Sequence, residues 1–258
     1  MEYLYVAGWK EVSLVDVLHS VSFTVWLSGC NYRCPWCSNA LVARGVYGRR
    51  VAVRELAERV REAAPFLDYL HITGGEPTLQ YKGLLALFRA VEGLGLKYSL
   101  DTNASLPEFL SHLVPMLHHV AVDLKAPLSD VRKYAEVTGL PVELAEKYVK
   151  AVSRSLELLR EVPFLELRVT LVPELVGEKE VLAIAREIKS YVAELPSPPV
   201  FVVQQFIPYE GVVDDRFKNR PRTPPEIVRR IAVKVAELLP AEVYYRTLEE
   251  GAVRVKAP

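Results

Sequence analysis

The sequence predicts an α/β fold, a partial (β/α)6 TIM-like barrel that is open on one side. Three observations predict it. Short apolar runs rich in β-branched residues alternate with longer amphipathic segments, six such pairs follow one another, and the unusual polar residues come directly after the apolar runs. This alternation is typical of βα units around a parallel sheet, whose chemistry gathers at the carboxyl ends of the strands. Six units are too few to close an eight-stranded barrel, and an open doubly wound sheet is the alternative.

The predicted elements follow in order along the chain. Strands are expected at residues 22–27, 69–73, 98–102, 119–124, 166–172 and 200–207. Amphipathic helices are expected at residues 53–64, 83–94, 107–117, 147–160, 180–194 and 224–239. The last helix has the clearest start, because the hydroxyl of Thr223 can cap its first amides and proline suits a first turn. Residues 243–246 and 253–255 predict an edge hairpin or a further strand.

Composition limits the class of protein. With 258 residues, half of them hydrophobic, we expect one domain over residues 1–258, with 1–20 as an N-terminal extension and 240–258 as a C-terminal tail. The 32 basic and 32 acidic side chains cancel, which disfavours nucleic acid and membranes as partners. No apolar run has the length of a membrane span and no signal peptide is evident, so a cytoplasmic protein is expected. Few amide side chains and 18 prolines favour a thermophilic source.

The three cysteines of the chain, Cys30, Cys34 and Cys37, lie within eight residues. An odd cluster this tight indicates a metal site in a reducing compartment and not a disulfide framework. Three thiolates in one loop can bind three corners of a four-iron four-sulfur cluster and leave the fourth iron without a protein ligand. The alternative is a tetrahedral zinc site with a distant histidine. The five histidines show no metal-ligand spacing to one another, and we interpret them as structural or surface residues.

A second motif, Gly74-Gly75-Glu76-Pro77, follows the second predicted strand. Paired glycines let a backbone approach a ligand closely, and Glu76 offers an acceptor for a positively charged amino group. Alone, the motif is also typical of a plain strand-to-helix turn. Joined to the cysteine loop, it forms a specific combination.

These motifs resemble those of the radical S-adenosylmethionine (SAM) superfamily, whose cysteine loop has the spacing C-x3-C-x2-C and whose second strand ends in Gly-Gly-Glu. Within it, the chain resembles glycyl-radical-enzyme activating proteins, in particular the archaeal type that activates anaerobic ribonucleotide reductase. The residues that carry this narrower resemblance are Gly8 to Lys10, Ser13 to Asp16, and Phe23 to Leu27 before the cysteine loop.

The resemblance implies an anaerobic oxidoreductase with a [4Fe-4S] cluster and SAM as cofactors. Reductive cleavage of SAM would give a 5′-deoxyadenosyl radical, which removes a hydrogen atom from a glycine of a partner enzyme such as anaerobic ribonucleoside-triphosphate reductase. Flavodoxin or ferredoxin would donate the electron. No catalytic side chain is expected beyond the cluster ligands and the cofactor site, since the cofactor performs the hard step.

The resemblance also implies roles for side chains outside the cysteine loop. Gly74, Gly75 and Glu76 would bind the methionyl amino end of SAM. Trp36 would pack near the adenine, although this residue type is equally common in ordinary core packing.

Charged residues after the third, fourth and fifth predicted strands match further positions of activating enzymes. Asp101 with Thr102, and Asp123 with Lys125, match positions that hold a monovalent cation and the cofactor carboxylate. Arg168 matches an arginine that contacts the cofactor. Because side chains alternate along a strand, Asp123 and Lys125 should share a face, and they could instead form a structural ion pair.

Two departures from the activating-enzyme pattern weaken the narrower resemblance. Ser38 follows the last cysteine where these enzymes commonly have histidine, and Glu210 stands where some have histidine after Pro-Tyr. The basic segment from Arg216 to Arg222 predicts a solvated connection, with docking of a partner as the alternative. Two other functions stay open: a radical SAM enzyme acting on a small molecule or RNA, and a zinc or redox binding module.

Overall fold

The computed structural model of the chain describes residues 2–255. Within that range the strands are β1 (Tyr3–Ser13), β2 (Ser22–Leu27), β3 (Arg49–Ala52), β4 (Tyr69–Gly74), β5 (Lys97–Thr102), β6 (Leu117–Asp123), β7 (Phe164–Leu171), β8 (Val200–Gln205), β9 (Glu242–Thr247) and β10 (Gly251–Arg254). The helices are α1 (Ala40–Ala43), α2 (Val53–Ala63), α3 (Tyr81–Ala90), α4 (Pro107–Leu113), α5 (Val131–Thr138), α6 (Val142–Leu158), α7 (Glu178–Ala193), α8 (Asp215–Lys218) and α9 (Pro225–Ala236). Short 3-10 turns occupy Ala64–Phe66, Pro77–Gln80 and Val114–Met116.

All these strands belong to one mixed sheet in the order β10-β9-β8-β7-β6-β5-β4-β2-β1-β3. The seven central strands are parallel and lie side by side in chain order; they are β2, β4, β5, β6, β7, β8 and β9. A doubly wound sheet reverses its strand order at a switch point. The order here never reverses, so the predicted α/β barrel type is confirmed and the doubly wound alternative is wrong. Over residues 2–255 the edge strands β3 and β10 do not pair, and the sheet stays open.

The two edges of the sheet contain strands beyond the six predicted ones. At the C-terminal edge, β9 adds a seventh parallel strand beside β8, and β10 returns antiparallel to it, which confirms the expected hairpin. At the N-terminal edge, β1 pairs antiparallel with both β2 and β3. The pattern did not predict β1, because only its first half alternates clearly, with Leu4 and Val6 buried, while Lys10 to Val12 are exposed.

Several helix boundaries differ from the predicted ones for local chemical reasons. The helix expected at residues 107–117 stops at Leu113, since Pro115 forces a 3-10 turn before β6. Helix α5 was not predicted, although it has a clear start and end. The Asp130 carboxylate accepts a hydrogen bond from Lys133 N at 2.9 Å, and Gly139 ends the helix with φ of +66°.

The core lies between the sheet and a layer of helices. The central strands bury apolar side chains in this core, for example Val25, Ile72, Leu100, Val120 and Leu167. Neighbouring helices pack side by side, α2 on α3, α3 on α4, α4 on α6 and α7 on α9. This arrangement directs the carboxyl ends of all parallel strands to one edge of the molecule. None of the described helices has the length and apolarity that crossing a membrane requires.

Candidate active site

A cavity of about 400 Å³ lies at the carboxyl ends of the parallel strands, and we call it the thiol cavity. Its walls come from the segments that follow β2, β4, β5 and β6, and from β7. Of the residues predicted for a site, those that line it are Cys30, Cys34, Trp36, Cys37, Gly74, Gly75, Asp101, Thr102, Asp123, Lys125 and Arg168. Residues separated by well over a hundred positions in the chain thus meet in one place. The volume suits a small-molecule cofactor.

The cysteine loop presents three free thiols to this cavity. Cys30, Cys34 and Cys37 are partly exposed, and none forms a disulfide. Burial and the nearby Glu76 carboxylate raise the pKa of Cys30 to about 11, and burial raises the pKa of Cys34 to about 12 despite the charge of Lys125. Thiols of this kind become thiolates when a metal binds them.

The donor set of the cysteine loop fits a four-iron cluster. Such a cluster binds each thiolate at a separate corner and leaves one iron without a protein ligand, so three free thiols in one loop suit it. Within residues 2–255, no three His, Cys, Asp or Glu side chains are already gathered around one point as ligands of a single metal ion.

The backbone beside the thiols is held by α5. Arg33 N donates to Thr138 O at 2.9 Å, and the indole Nε1 of Trp36 donates to Val137 O at 3.0 Å. A Cβ at Gly139 would lie 2.2 Å from Arg33 O, so only glycine permits this approach. The Tyr32 amide also donates to Cys30 Sγ at 3.3 Å. The C-terminal end of α5 therefore positions the cysteine loop.

At Gly74 and Gly75, the backbone at the end of β4 contacts the backbone at the start of the cysteine loop. Gly74 has φ of +122°, and a Cβ at Gly75 would lie 2.0 Å from Gly29 O. The Gly75 amide donates to Leu27 O at 2.8 Å, and the Glu76 amide donates to Gly29 O at 2.8 Å. The glycines line the cavity, and they are also needed for this contact between two backbone segments.

Glu76 is the one predicted site residue that lies outside the lining of the thiol cavity. Its side chain is buried and does not line the thiol cavity. Its oxygens accept hydrogen bonds from Thr78 N and Oγ1 at 3.1 and 2.6 Å, from Thr102 Oγ1 at 2.8 Å and from Asn103 N at 2.8 Å. Three of these bonds end on Oε1 and one on Oε2. Glu76 thus fixes the loop after β5, and its predicted contact with the methionyl end of SAM stays a prediction.

Asn103 is a site residue that the sequence analysis missed. Its side chain donates to Asn31 Oδ1 at 3.0 Å and lies 3.9 Å from Cys30 Sγ. Asn31 in turn donates to Ser105 Oγ at 2.7 Å. The polar residues after β5 therefore hold the first turn of the cysteine loop from the side opposite α5. The sequence feature that could have identified Asn103 is its position at a strand end, directly after Asp101 and Thr102.

Asp101 and Arg168 form an ion pair in the wall of the cavity. The carboxylate accepts from Arg168 NH1 at 2.9 Å and from Thr73 Oγ1 at 3.0 Å. Arg168 also donates to Glu166 at 2.5 Å and to Asp16 O at 3.3 Å. Burial opposes ionisation of Asp101, but the guanidinium outweighs it and holds the pKa of Asp101 well below its usual range. The wall therefore carries fixed charges.

Asp123 and Lys125 meet at 2.8 Å, as expected for residues on one face. Asp123 ends β6, and Lys125 lies in the loop after it, with its Nζ 5.2 Å from the centre of the Trp36 ring. Burial would lower the pKa of Lys125, but the Asp123 carboxylate outweighs it and raises that pKa. The two residues form an ion pair and also line the thiol cavity, and their contact with the cofactor stays a prediction.

Ser38 and Glu210, the two residues that depart from the activating-enzyme pattern, differ in their position relative to the thiol cavity. Ser38 lines the thiol cavity. Glu210 is exposed and does not line it, whereas its neighbour Tyr209 does.

The basic segment before the last helix carries little free charge. Arg216 pairs with Asp214 at 2.8 Å, Arg222 pairs with Glu249 at 2.8 Å, and Arg220 makes a bidentate contact with Glu174. These acids neutralise the arginines locally. The structure thus favours the interpretation of the segment as a solvated connection.

A second, larger cavity of about 680 Å³ adjoins the thiol cavity, and we call it the outer cavity. It lies between residues 14–19 and the strands β8, β9 and β10. The two cavities share the wall residues Trp36, Ser38, Thr170, Gln204 and Tyr209. A molecule in the outer cavity can therefore reach the space beside the thiols.

Comparison with known proteins agrees with this geometry. The family described as the Radical SAM superfamily matches residues 24–188, well over half of the chain. A candidate glycyl-radical enzyme activating enzyme of Methanocaldococcus jannaschii is 27% identical over 245 residues, which cover 94% of this chain and 96% of that protein. A 7-carboxy-7-deazaguanine synthase of Hyperthermus butylicus is 42% identical over 86 residues, but these cover only 33% of this chain and 36% of that protein.

A solved structure shares the fold. The crystal structure of Streptococcus suis SuiB bound to S-adenosylmethionine superposes with a TM-score of 0.60 at 18% identity. The match covers 85% of this chain and 48% of the SuiB chain, so this chain spans about half of that protein.

Proposed function

We propose, because this chain belongs to the radical SAM superfamily, that it is a radical SAM enzyme that generates a glycyl radical on a partner enzyme. Cys30, Cys34 and Cys37 would hold a [4Fe-4S] cluster, and SAM would occupy the thiol cavity. Anaerobic ribonucleoside-triphosphate reductase is the partner suggested by the sequence motifs. The full-length likeness to the M. jannaschii protein supports the activating role.

The chemistry in this proposal comes from the bound cofactors, while the protein positions them and excludes water. When bound, the cluster supplies one electron that cleaves SAM to methionine and a 5′-deoxyadenosyl radical. The edge of β4 at Gly74 and Gly75 would hold the methionyl end, and Trp36 would contact the adenine. Asp123, Lys125 and Arg168 would supply the charges that orient the amino-acid group of SAM.

One observation favours a protein as the substrate. The mouth of the outer cavity is surrounded by apolar side chains that are largely exposed, with Leu14 and Val15 each 71% exposed, Leu248 56% and Tyr209 53%. Exposed apolar groups concentrated around a cavity are typical of a protein contact. A small substrate would leave this rim in water, whereas a partner that inserts a loop would cover it.

The test is an anaerobic incubation of the reconstituted protein with SAM, dithionite and the ribonucleotide reductase of the same source. We expect the doublet of a glycyl radical by electron paramagnetic resonance. The signal should vanish when the radical-bearing glycine of the partner is replaced by alanine. A fully loaded cluster that cleaves SAM but never produces this signal would overturn the activating role.

The second candidate function is radical chemistry on a small molecule. The local identity of 42% to the H. butylicus synthase favours it, although that likeness is confined to a third of the chain. Formation of 5′-deoxyadenosine that depends on an added metabolite, with no protein partner present, would support this second function.

A further inference from the structure

The outer cavity has an unusual distribution of charge. Its walls are apolar or uncharged along most of their area, with Leu14, Val17, Leu18, Phe206 and Ile207 among them. Within the described residues no aspartate or glutamate lines it, and Arg246 on β9 is the one arginine or lysine that does. A cation on an uncharged wall indicates a ligand of opposite charge.

Arg246 is poorly satisfied by its protein neighbours. Its side chain is 21% exposed. Over residues 2–255 it makes one hydrogen bond, in which NH1 donates to Gln204 Oε1 at a long 3.4 Å. Its nearest carboxylate oxygen is Glu166 Oε1 at 3.7 Å, beyond hydrogen-bond length. A guanidinium has five N–H donors, so most of those on Arg246 are available to a ligand.

The Glu166 carboxylate does not neutralise Arg246 fully, because it also pairs with Arg168. The same Oε1 atom accepts from Arg168 Nε at 2.5 Å, and Arg168 also pairs with Asp101. The other oxygen, Oε2, faces His119 Nε2 at 3.4 Å. Burial and the charge of Arg168 lower the pKa of Arg246. The Glu166, Asp101 and Asp16 carboxylates favour the charged form of Arg246, but none of them lines the outer cavity.

We propose that Arg246 binds a carboxylate of the substrate in the outer cavity, with the apolar walls enclosing the rest of that group. A carboxylate matches the planar fork of a guanidinium in a bidentate contact. Gln204 lines both cavities and can donate its amide to the same oxygens. An anchored substrate would thus extend past Gln204 and Trp36 toward the thiol cavity. This inference rests on the proposed function in one respect: it takes the outer cavity as the place where the substrate binds.

The first measurement compares charged and neutral ligands of equal shape on the unaltered, anaerobically reconstituted protein. By isothermal titration calorimetry, 4-phenylbutyrate should bind about tenfold more tightly than 4-phenylbutanamide. Two N-acetylated, C-amidated pentapeptides with a central glycine, one with glutamate and one with glutamine beside it, should show the same preference if the carboxylate comes from a protein. Preference among the small ligands alone would assign the site to a small acid. Equal binding of acid and amide in both pairs would overturn the proposal.

The second measurement uses variants. Arg246→Gln should abolish the preference for the acid, and Arg246→Lys should retain only part of it, because an ammonium lacks the fork. The matched control is Arg254→Gln on β10, an arginine that is exposed and pairs with Glu242 outside the cavity. An acid preference unchanged in Arg246→Gln would contradict the assignment. Because the readout is binding, its failure leaves the test of glycyl-radical formation intact.

Discussion

Asp101 shows how single residues hold charge beside the thiols. Its carboxylate is paired with Arg168 and bonded to Thr73, and its folded pKa is depressed. A carboxyl group with a depressed pKa stabilises the fold at every pH above its unfolded pKa of about 3.9. This stabilisation is lost as the pH falls from that value toward the folded pKa.

We therefore predict that Asp101→Asn destabilises the protein at neutral pH and much less in acid. At pH 7 the free energy of unfolding should fall by about 2–3 kcal/mol, because Arg168 loses a charged partner. At pH 3 the difference from the unaltered protein should shrink, since Asp101 is partly protonated when unfolded. Urea unfolding at both pH values measures this difference.

The control for Asp101→Asn is Glu108→Gln. Glu108 pairs with Arg154 on the surface, where both side chains are more than 60% exposed. Ion pairs of this kind contribute little, so the urea midpoint should not move. A destabilisation of Asp101→Asn that is equally large at pH 3 would contradict the assignment of the charge on Asp101.

Residue types at strand ends were predictable, but their partners were not. The predicted strand ends placed Cys30, Gly74, Asp101 and Lys125 at one edge of the sheet, and the structure gathers them in one cavity. The direction of the Glu76 side chain could not be predicted, because it depends on Thr102 and Asn103 from another strand. Local sequence carries no information on which donors a distant loop presents.

At the scale of elements, α5 supports the cysteine loop. Gly139 ends this helix in the left-handed conformation and touches the Arg33 carbonyl. Helix α5 was not predicted, since it has only eight residues and just three residues separate it from α6. Asp130 as a cap and Gly139 as a stop were the signals that could have revealed it.

We predict that Gly139→Ala lowers the iron content of the protein after anaerobic reconstitution. The new Cβ would collide with Arg33 O, and φ near +66° adds strain, so the loop must move away from α5. Iron and sulfide per chain should fall at least about twofold, and the thermal midpoint should drop by several degrees. Iron and sulfide assays with differential scanning calorimetry measure both.

A matched glycine provides the control. Gly177 precedes α7 with φ of −112°, and its nearest neighbour to a new Cβ is a flexible Glu180 oxygen at 3.6 Å. Gly177→Ala should load iron like the unaltered protein. If Gly139→Ala also loads fully, the cysteine loop does not depend on α5.

Strands of the parallel sheet were predicted well because each is a short run with buried apolar residues at alternate positions, as Leu165, Leu167 and Val169 show in β7. Strand β1 was missed because it lies toward the edge, where four of its eleven residues are exposed and four more are only partly buried. Helix ends were less accurate than helix centres, as at Pro115, where a 3-10 turn replaces the last helical turn. Strand order followed from alternation alone, since each new strand adds beside the last.

At the scale of the whole molecule, the open sheet explains how one chain combines two cavities. The thiol cavity lies over the strand ends, and the outer cavity lies beside β8, β9 and β10, at the edge that a closed barrel would cover. The formal net charge is zero, and charged side chains line both cavities, among them Asp101 and Arg168 in the thiol cavity and Arg246 in the outer cavity. The apolar rim leaves the outer cavity accessible to a large partner.

The assignment of the three thiols as cluster ligands is tested by the products of SAM cleavage, compared between the anaerobically reconstituted protein and Cys34→Ala. With dithionite, the unaltered chain should bind a [4Fe-4S] cluster and release 5′-deoxyadenosine and methionine in equal amounts, measured by liquid chromatography and mass spectrometry. Cys34→Ala should release neither. Stoichiometric zinc without sulfide in the unaltered protein, or 5′-deoxyadenosine formed equally well without Cys34, would contradict the assignment of the three thiols as the ligands of a cluster that cleaves SAM.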